Sequence, residues 1–376
     1  MNQRPQIFFL LFLLLLNSCI TTFIPKIEEE KELLVVQGII TDKDVTDTIK
    51  LSKSLPLGEI NAARPVTGCI VTLSDDLGSK VILDESSAGT YITPSFFHGI
   101  PGRSYTLHIA TNSEFNNFNY ESSPMEMKPV PPIDSLYYEK TVIEKAEGFF
   151  KGINGCQIYL NTHDPKNVCR FYRWDFSETW IFRLPFAVPN EICWVTDKSH
   201  TAIIKSTDAF SESKIDRFPI NYISNATDRL QTKYRIEINQ YSMSEEEYIY
   251  WEKIQNIAVK VGGLYDIIPA SVPSNIRCME NPAEKVLGFF SVSAKSSKRI
   301  FIKDNFEGII NHYARCVTDT VGTPDFPGVN INAWILVAHL CSIPCVSFFE
   351  ITTHKECADC TLRGTNIEPD FWKDDK

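Results

Sequence analysis

Short segments of alternating polarity, separated by turn residues, constrain the fold of this chain more than any other feature. In residues 105–110 (YTLHIA), Tyr, Leu and Ile alternate with Thr and His, which is the period of a strand with one buried face. Turn sequences such as residues 75–78 (DDLG) lie between similar segments. The predicted strands are Leu33–Ile40, Thr48–Ser54, Gly68–Ser74, Lys80–Asp84, Thr90–Thr93, Tyr105–Ala110 and Asn119–Ser122. Their number and spacing predict that residues 33–123 form an immunoglobulin-like β-sandwich.

The second half of the chain, residues 135–376, is predicted to be a larger β-rich domain with a short helical insertion. The length of 376 residues is enough for two to three domains at ~150 residues each. Residues 171–182 place five aromatic side chains on one face, which favours core packing over an exposed platform for sugars. These five are Tyr172, Trp174, Phe176, Trp180 and Phe182. Residues 229–241 alternate as clearly, and residues 286–292 and 299–303 are further predicted strands.

One helix is predicted near residues 244–260. Ser244 and Glu247 have the spacing of a capping box, in which each side chain satisfies a backbone N–H of the other residue. Apolar residues follow at helical spacing until residues 262–263 (GG), which end the pattern. The acidic residues 245–247 open the helix, where negative charge complements its dipole. We therefore expect solvated structural carboxylates there, rather than a catalytic pair.

A proline-rich segment, residues 124–134, separates the two predicted domains. It contains prolines at positions 124, 129, 131 and 132. Proline fixes the backbone angle φ and lacks an amide donor, so a dense run of prolines favours a stiff, extended chain. We predict that this segment is a linker that holds the two domains apart.

The N-terminus has the pattern of an exported bacterial lipoprotein. Arg4 precedes an unbroken apolar run, residues 7–16, which as a helix is ~15 Å long and therefore too short to cross a bilayer. Residues 16–19 (LNSC) resemble the lipobox, whose cysteine is acylated and becomes the mature N-terminus. We expect residues 1–18 to be the signal peptide and Cys19 to be the lipidation site. An ordinary signal peptide followed by an incidental cysteine is the alternative.

Residues 19–32 are predicted to be an acidic tether. Within them, residues 26–32 (KIEEEKE) resemble the tract that directs lipoproteins to the bacterial cell surface, although a solvated spacer has a similar composition. The whole chain has 37 Lys and Arg against 47 Asp and Glu, which gives a net charge of −10. Since no basic block offsets this charge, a nucleic-acid partner is not expected.

The cysteines indicate an oxidising compartment. The chain has 11, and with Cys19 lipidated the remaining even number invites disulfides in an exported protein. Cys69 lies on a predicted strand, where it can be a small buried residue. The disulfide candidates are Cys156, Cys169, Cys193, Cys278, Cys316, Cys341, Cys345, Cys357 and Cys360. A four-thiolate zinc site formed by the last four is the alternative, which export disfavours. The disulfides would hold a C-terminal segment that is poor in regular pattern.

The sequence contains no motif of a familiar catalytic or cofactor site. Its seven histidines are scattered and form neither an HxxxH nor an HExxH pair. The GxSxG elbow, the phosphate loop and the GxGxxG fingerprint are also missing from the sequence. We therefore predict a non-catalytic protein without a cofactor or metal. An exported hydrolase whose catalytic residues meet only on folding is an alternative.

Several motifs, taken in order, resemble a known family. They are residues 34–42 (LVVQGIITD), 130–136 (VPPIDSL), 170–180, 217–219 (RFP), 240–244 (QYSMS), 286–292 (VLGFFSV) and 357–372. With the lipobox, they resemble an uncharacterised outer-membrane lipoprotein family of the Bacteroidota, a domain of unknown function often encoded beside TonB-dependent receptors. Residues 65–71 and 102–107 also resemble a transthyretin-like, carboxypeptidase-regulatory sandwich, which implies a spacer or binding module.

This resemblance implies a location and a partner rather than a reaction. We expect a lipid-anchored protein at the outer membrane that faces the cell exterior. It would assist a TonB-dependent receptor in capturing or admitting a nutrient such as a glycan or a peptide. A surface adhesin or structural module is the alternative, since the sandwich and the stiff linker fit that role as well.

Overall fold

The computed structural model describes residues 32–55, 63–112, 117–143, 153–186, 188–260, 272–309, 316, 319–322, 335–342, 346–352 and 355–374. The chain is mainly β, which confirms the predicted fold class. The strands are β1 Leu34–Thr41, β2 Thr48–Lys53, β3 Ile70–Asp75, β4 Lys80–Ser87, β5 Thr90–Ile92, β6 Ser104–Ala110, β7 Asn119–Ser122, β8 Met125–Glu126, β9 Ile133–Ile143, β10 Ile153–Asp164, β11 Phe171–Arg183, β12 Ile192–Lys198, β13 Ile203–Ser206, β14 Ser213–Ser224, β15 Tyr234–Met243, β16 Ile276–Cys278, β17 Val286–Ser293, β18 Lys295–Ile302, β19 Asp319–Gly322, β20 Ile335–Ser342 and β21 Val346–Thr352.

Helix α1 spans Glu245–Lys260, as its cap and apolar spacing predict. The glycines expected to end it, residues 262–263, lie outside the described residues, as do the predicted signal peptide and most of the tether. Within the described part of the chain, no helix has both the length and the apolar character needed to cross a membrane.

The predicted strands of the N-terminal segment all form, and they share one sheet. Along this sheet the described strands run in the order β16, β7, β6, β3, β4, β5, β2, β1 and β17, with β8 paired to β6. Strand β4 connects two halves, because Leu83 pairs with Val71 of β3 while Asp84 pairs with Ile92 of β5. Buried side chains from both halves form one hydrophobic cluster, as the alternation in the sequence predicts.

Two strands of the N-terminal sheet come from beyond the proline-rich segment. β16 pairs antiparallel with β7, and β17 pairs in parallel with β1, where Val36 lies opposite Gly288. Residues 276–278 and 286–293, which the sequence assigned to the second half of the chain, thus complete the first sheet. Pairing between segments so far apart has no local signal and was therefore not predicted from the sequence.

The second half of the chain builds its own core around two further sheets. One has the order β14, β10, β9, and the other β12, β11, β15, β18 with β13 paired to β11. The predicted aromatic face of β11 is confirmed, since Trp174 and Trp180 are buried. Strand β15 begins later than expected, because residues 228–230 form a 3₁₀ turn. Strands β9, β10, β12, β13 and β14 were not predicted from the sequence.

The proline-rich segment packs into the body of the protein instead of standing free. Strand β8 lies within it, and Met127 is fully buried. The main-chain carbonyl of Lys128 accepts a hydrogen bond from Ser242 Oγ at 2.5 Å, and that of Pro131 accepts one from Gln240 Nε2 at 2.8 Å. Proline removes a backbone donor but leaves its carbonyl free to accept, so this segment is not the free spacer that its composition indicated.

The C-terminal segment has more regular structure than its sequence pattern predicts. Strands β19, β21 and β20 form a small sheet in that order. Residues 335–342 (ILVAHLCS) lack the alternation on which strand prediction relied. Further along, the guanidinium of Arg363 forms two hydrogen bonds with the buried carboxylate of Asp228 and lies 4.8 Å from the ring centre of Phe182. These contacts attach residues 355–374 to the sheet that contains β11.

Candidate functional site

Four of the disulfide candidates form two pairs at disulfide distance. Cys193 of β12 pairs with Cys360, and Cys316 pairs with Cys357. The Cα–Cα separation is 5.7 Å in both pairs, which is typical of a disulfide. Because two cysteines of the alternative zinc site are engaged in different bridges, they are not available as a common thiolate set. Cys341 lies on β20, while Cys345 and Cys19 fall outside the described residues.

Three other candidates are buried thiols without a disulfide partner among the described residues. Cys278 lies in the core of the N-terminal sheet, whereas Cys156 and Cys169 lie in the second core. The expectation that these three form disulfides is therefore wrong for the described chain. Burial raises the pKa of Cys156 and of Cys169 to about 12, so both are protonated at neutral pH and are poor nucleophiles. Cys69 is half-buried and also unpaired, in keeping with the role expected for it.

A cavity of about 350 Å³ lies between helix α1 and the outer face of β2, β1 and β17. We call it the helix groove. Val36 and Ile40 of β1 are buried in the core, so the alternate residue Gln37 faces outward into the groove. Among the described residues that line it are Gln37, Lys50, Arg173, Tyr250, Trp251 and Phe289. The groove thus combines aromatic rings with cationic side chains.

Glu247 of helix α1 lies buried beside the helix groove, with no exposed surface. Its backbone N–H donates to Ser244 Oγ at 3.1 Å, which confirms that Ser244 caps the helix. Its side chain faces away from the cap, and Oε1 accepts hydrogen bonds from Ser291 Oγ at 2.7 Å and from Trp251 Nε1 at 3.3 Å. The expected solvated carboxylate is therefore wrong for this position.

The buried carboxyl of Glu247 is only partly satisfied. Oε2 has no hydrogen-bond partner among the described residues. Burial raises the pKa of Glu247, and the opposing influences are the charge of Arg173 and the hydrogen bonds from Ser291 and Trp251. Nη1 of Arg173 lies 3.5 Å from Oε1, which is longer than a well-formed hydrogen bond.

Arg173 reaches this position from strand β11. Its side chain is 10% exposed, and its guanidinium carbon lies 4.8 Å from the ring centre of Tyr241 and 5.4 Å from that of Trp251. Cation–π contacts of this kind favour a charged guanidinium in a partly apolar environment. The two rings and the Glu247 carboxyl therefore hold a cation in place at the wall of the helix groove.

A second cavity of about 320 Å³ shares two wall residues with the helix groove. These are Tyr250 and Phe289, whose ring centres lie 4.9 Å apart. The second cavity also contains Glu245, Glu246 and Lys253. It is therefore acidic, whereas the helix groove is cationic. Within the described residues, no group of three or more His, Cys, Asp or Glu side chains is arranged to hold a metal ion.

Comparison with models of protein families identifies the family to which the chain belongs. Residues 20–299 match the model of a domain of unknown function, DUF4249. The chain belongs to the DUF4249 family. All residues that line the helix groove fall within the DUF4249 match, whereas Cys316, Cys357 and Cys360 lie beyond it. No curated protein is significantly similar to this DUF4249 chain.

The helix groove of this DUF4249 chain was not predicted from the sequence. Arg173 stood in a predicted strand as a polar residue between aromatic ones, and Glu247 was assigned to the helix cap. The spacing of Glu247 and Trp251 could have indicated that Glu247 is buried. Residues four apart on a helix share a face, and Trp251 lies on the predicted apolar face. No local pattern could have placed Arg173 or Lys50 beside the helix, since they come from different sheets.

Proposed function

We propose that this DUF4249 protein is a lipid-anchored protein of the bacterial outer membrane that captures a nutrient for a TonB-dependent receptor. The proposed anchor is Cys19, at the end of an apolar run of signal-peptide length. Two cysteine pairs at disulfide distance support an oxidising compartment. The Bacteroidota origin, the surface orientation and the neighbouring receptor rest on the resemblance of the ordered sequence motifs.

The helix groove is the observation that carries the proposal of a binding role. Its volume of about 350 Å³ is at the lower end of the usual range for small-molecule sites. Convergent polar groups on a partly aromatic wall are typical of such sites, and Arg173 supplies a fixed charge. Ser291 also lines the groove, but it is only 2% exposed and its hydroxyl donates a hydrogen bond to Glu247. The volume and the lining of the groove therefore support a binding role.

Metabolic labelling with a palmitate analogue tests the anchor. We expect the wild-type protein to carry the label and to fractionate with outer membranes. Cys19→Ala should lose the label, whereas Cys69→Ala, which removes an unpaired cysteine, should retain it. An unlabelled wild-type protein recovered in soluble form would contradict the proposed anchor.

Affinity capture tests the proposed partner. Tagged full-length protein, isolated from outer membranes in mild detergent, should enrich a TonB-dependent receptor over an unrelated tagged lipoprotein. A deletion strain should grow more slowly on the nutrient that this receptor imports. Repeated capture without any such receptor would contradict the partnership.

The adhesin alternative loses one of its arguments, because the segment around Pro131 packs against the body instead of forming a spacer. The deletion strain separates the remaining possibilities. Loss of cell adhesion with unimpaired growth would favour an adhesin. Turnover of peptide or glycan substrates by the purified protein, abolished by one carboxylate substitution, would favour an exported hydrolase.

A further inference from the structure

The charge of the helix groove is opposite to that of the whole protein. The chain carries a net charge of −10, yet the groove is lined by Lys50 and Arg173, and the described residues of its lining include no Asp or Glu. Lys50 is exposed on β2, whereas Arg173 is almost fully buried. Two cations from different sheets, brought together in one cavity, favour an anionic occupant.

The guanidinium of Arg173 keeps hydrogen-bonding capacity that the described residues do not use. A guanidinium has five N–H donors. Among the described residues, the acceptor near Arg173 is Glu247, at 3.5 Å from Nη1. The rings of Tyr241 and Trp251 flank the guanidinium and fix its position without accepting those hydrogen bonds. A carboxylate in the groove could accept two of them in parallel, which is the geometry that arginine favours.

The rest of the wall suits a flat apolar group. Tyr250 and Phe289 pack ring to ring at 4.9 Å, and Trp251 meets Tyr250 edge to face at 5.5 Å. Aromatic walls stack on planar ligands, and such contacts are stronger when the ligand fills the cavity. A cavity of about 350 Å³ has room for one or two fused rings with a short side chain.

We propose that the helix groove binds a small organic acid with a planar apolar group. Its carboxylate would pair with Arg173 and Lys50, and its ring would stack against Tyr250 and Phe289. This inference rests on the proposed capture function and specifies the ligand class. Glu247 is a positioning residue in this scheme, since it contacts Arg173 from behind and does not line the groove.

Calorimetric titration of the full-length protein in detergent micelles tests the ligand class. The probes are phenylacetate, indole-3-acetate and 2-naphthoate, compared with phenylacetamide and phenethylamine, which keep the ring and change the charge. We expect at least one acid to bind, phenylacetate to bind at least tenfold more tightly than phenylacetamide, and phenethylamine not to bind. Equal affinity for acid, amide and amine, or no binding by any of the three acids, would overturn the proposal.

Substitutions on the groove surface locate the binding. Gln37→Glu adds a carboxylate to an exposed lining residue with little change in shape, and it should weaken binding of the acid at least tenfold. Lys50→Gln should weaken it at least fivefold. Lys80→Gln, an exposed lysine of β4 outside the lining of the groove, is the matched control and should leave affinity unchanged. Unchanged affinity in both groove variants would overturn the assignment to this cavity.

Arg173→Gln should abolish binding, but it also removes the partner of a buried carboxyl, so its folding must be checked by thermal melting. The two surface variants keep the proposal testable if this variant unfolds. Absence of acid binding with normal palmitate labelling and receptor capture would overturn the ligand class alone. Binding without labelling or receptor capture would overturn the proposed function alone.

Discussion

Gly288 of β17 lies opposite Val36 of β1, and the carbonyl group of Val36 occupies the space that a Cβ at position 288 would need. The backbone φ of Gly288 is +86°, a left-handed conformation that glycine adopts at little cost. This contact lies in the parallel pair that joins the second half of the chain to the first strand of the N-terminal sheet. A glycine is therefore required here for two independent reasons.

Gly288→Ala should be strongly destabilising. The positive φ alone costs roughly 1–2 kcal/mol for a residue with a Cβ. The collision with Val36 adds to this, because backbone must move to relieve it. We expect a total loss of more than about 3 kcal/mol in the free energy of unfolding, measured by urea denaturation.

Gly78→Ala is the matched control for this substitution. Gly78 has a φ of +85°, but a Cβ there would meet no atom within 4 Å. The free energy of unfolding of this variant should therefore fall only by the cost of the positive φ, roughly 1–2 kcal/mol. Equal losses in the two variants would contradict the close pairing of β1 with β17.

Glu247→Ala should destabilise the protein more than Glu247→Gln. Alanine leaves the buried guanidinium of Arg173 without its carboxyl partner, and breaking a buried ion pair in this way costs about 3–5 kcal/mol. Glutamine also removes the negative charge that faces Arg173, but it can still accept the hydrogen bonds from Ser291 and Trp251, so its cost should be smaller than that of alanine by about 1–3 kcal/mol. Urea denaturation of both variants gives the comparison.

Glu245→Ala controls for the loss of an acidic residue in the same helical turn. Glu245 is exposed, so its removal should change stability by less than about 0.5 kcal/mol. If Glu247→Ala were as mild as this control, the carboxyl would not be buried against Arg173.

Strands β1 to β7 could be predicted because their information is local. Tyr105, Leu107 and Ile109 are all buried, as their alternation indicates. The bounds of β7 were predicted to the residue, and helix α1 begins directly after its predicted cap, Ser244. In each case a period or a cap within about ten residues was sufficient.

The candidate site could not be predicted in this way because its parts are distant in sequence. The helix groove needs β17 beside β1, helix α1 across them, and Arg173 from another sheet. None of these relationships follows from a local period. The connectivity of the disulfides could not be predicted for the same reason: the count of cysteines predicted pairing, but Cys193 and Cys360 are 167 residues apart.

Asp47 should make stability depend on pH in a recognisable direction. Burial raises the pKa of Asp47 to about 6, against hydrogen bonds from Thr41 that lower it. Between about pH 4 and 6 the folded protein therefore holds a proton that the unfolded chain has released, so the contribution of Asp47 to stability falls as pH rises through this window. Above about pH 6, the titration of Asp47 has lowered the free energy of unfolding by about 3 kcal/mol at most.

Asp47→Asn removes this titration. From pH 4 to pH 6.5, the melting temperature of Asp47→Asn should rise relative to that of wild type. Glu85 provides a control of opposite sign, because hydrogen bonds from the backbone N–H groups of Gly68 and Gly89 lower its pKa. Glu85→Gln should lose stability relative to wild type as pH rises toward about 4.5, and the difference should stay constant above that pH. A pH-independent difference for Asp47→Asn would contradict the burial of this carboxyl.

The two disulfides should protect four cysteines from alkylation. When the unfolded but unreduced protein is treated with iodoacetamide, peptide mass mapping should find Cys193, Cys316, Cys357 and Cys360 unmodified. Cys69, Cys156, Cys169 and Cys278 should be modified once unfolding exposes them. Modification of Cys193 and Cys360 without a reductant would contradict their pairing.

Removal of the long-range bridge should also lower stability. Cys193 and Cys360 close a loop of 167 residues, and the chain-entropy model assigns a bridge of this span up to about 5 kcal/mol through its restriction of the unfolded chain. The double variant Cys193→Ala/Cys360→Ala should therefore unfold at a lower urea concentration than wild type. Cys69→Ala, which removes an unpaired and half-buried thiol, should change the midpoint much less. Reduction of the wild type should lower the midpoint at least as much as the double variant does, because it opens the Cys316–Cys357 bridge as well.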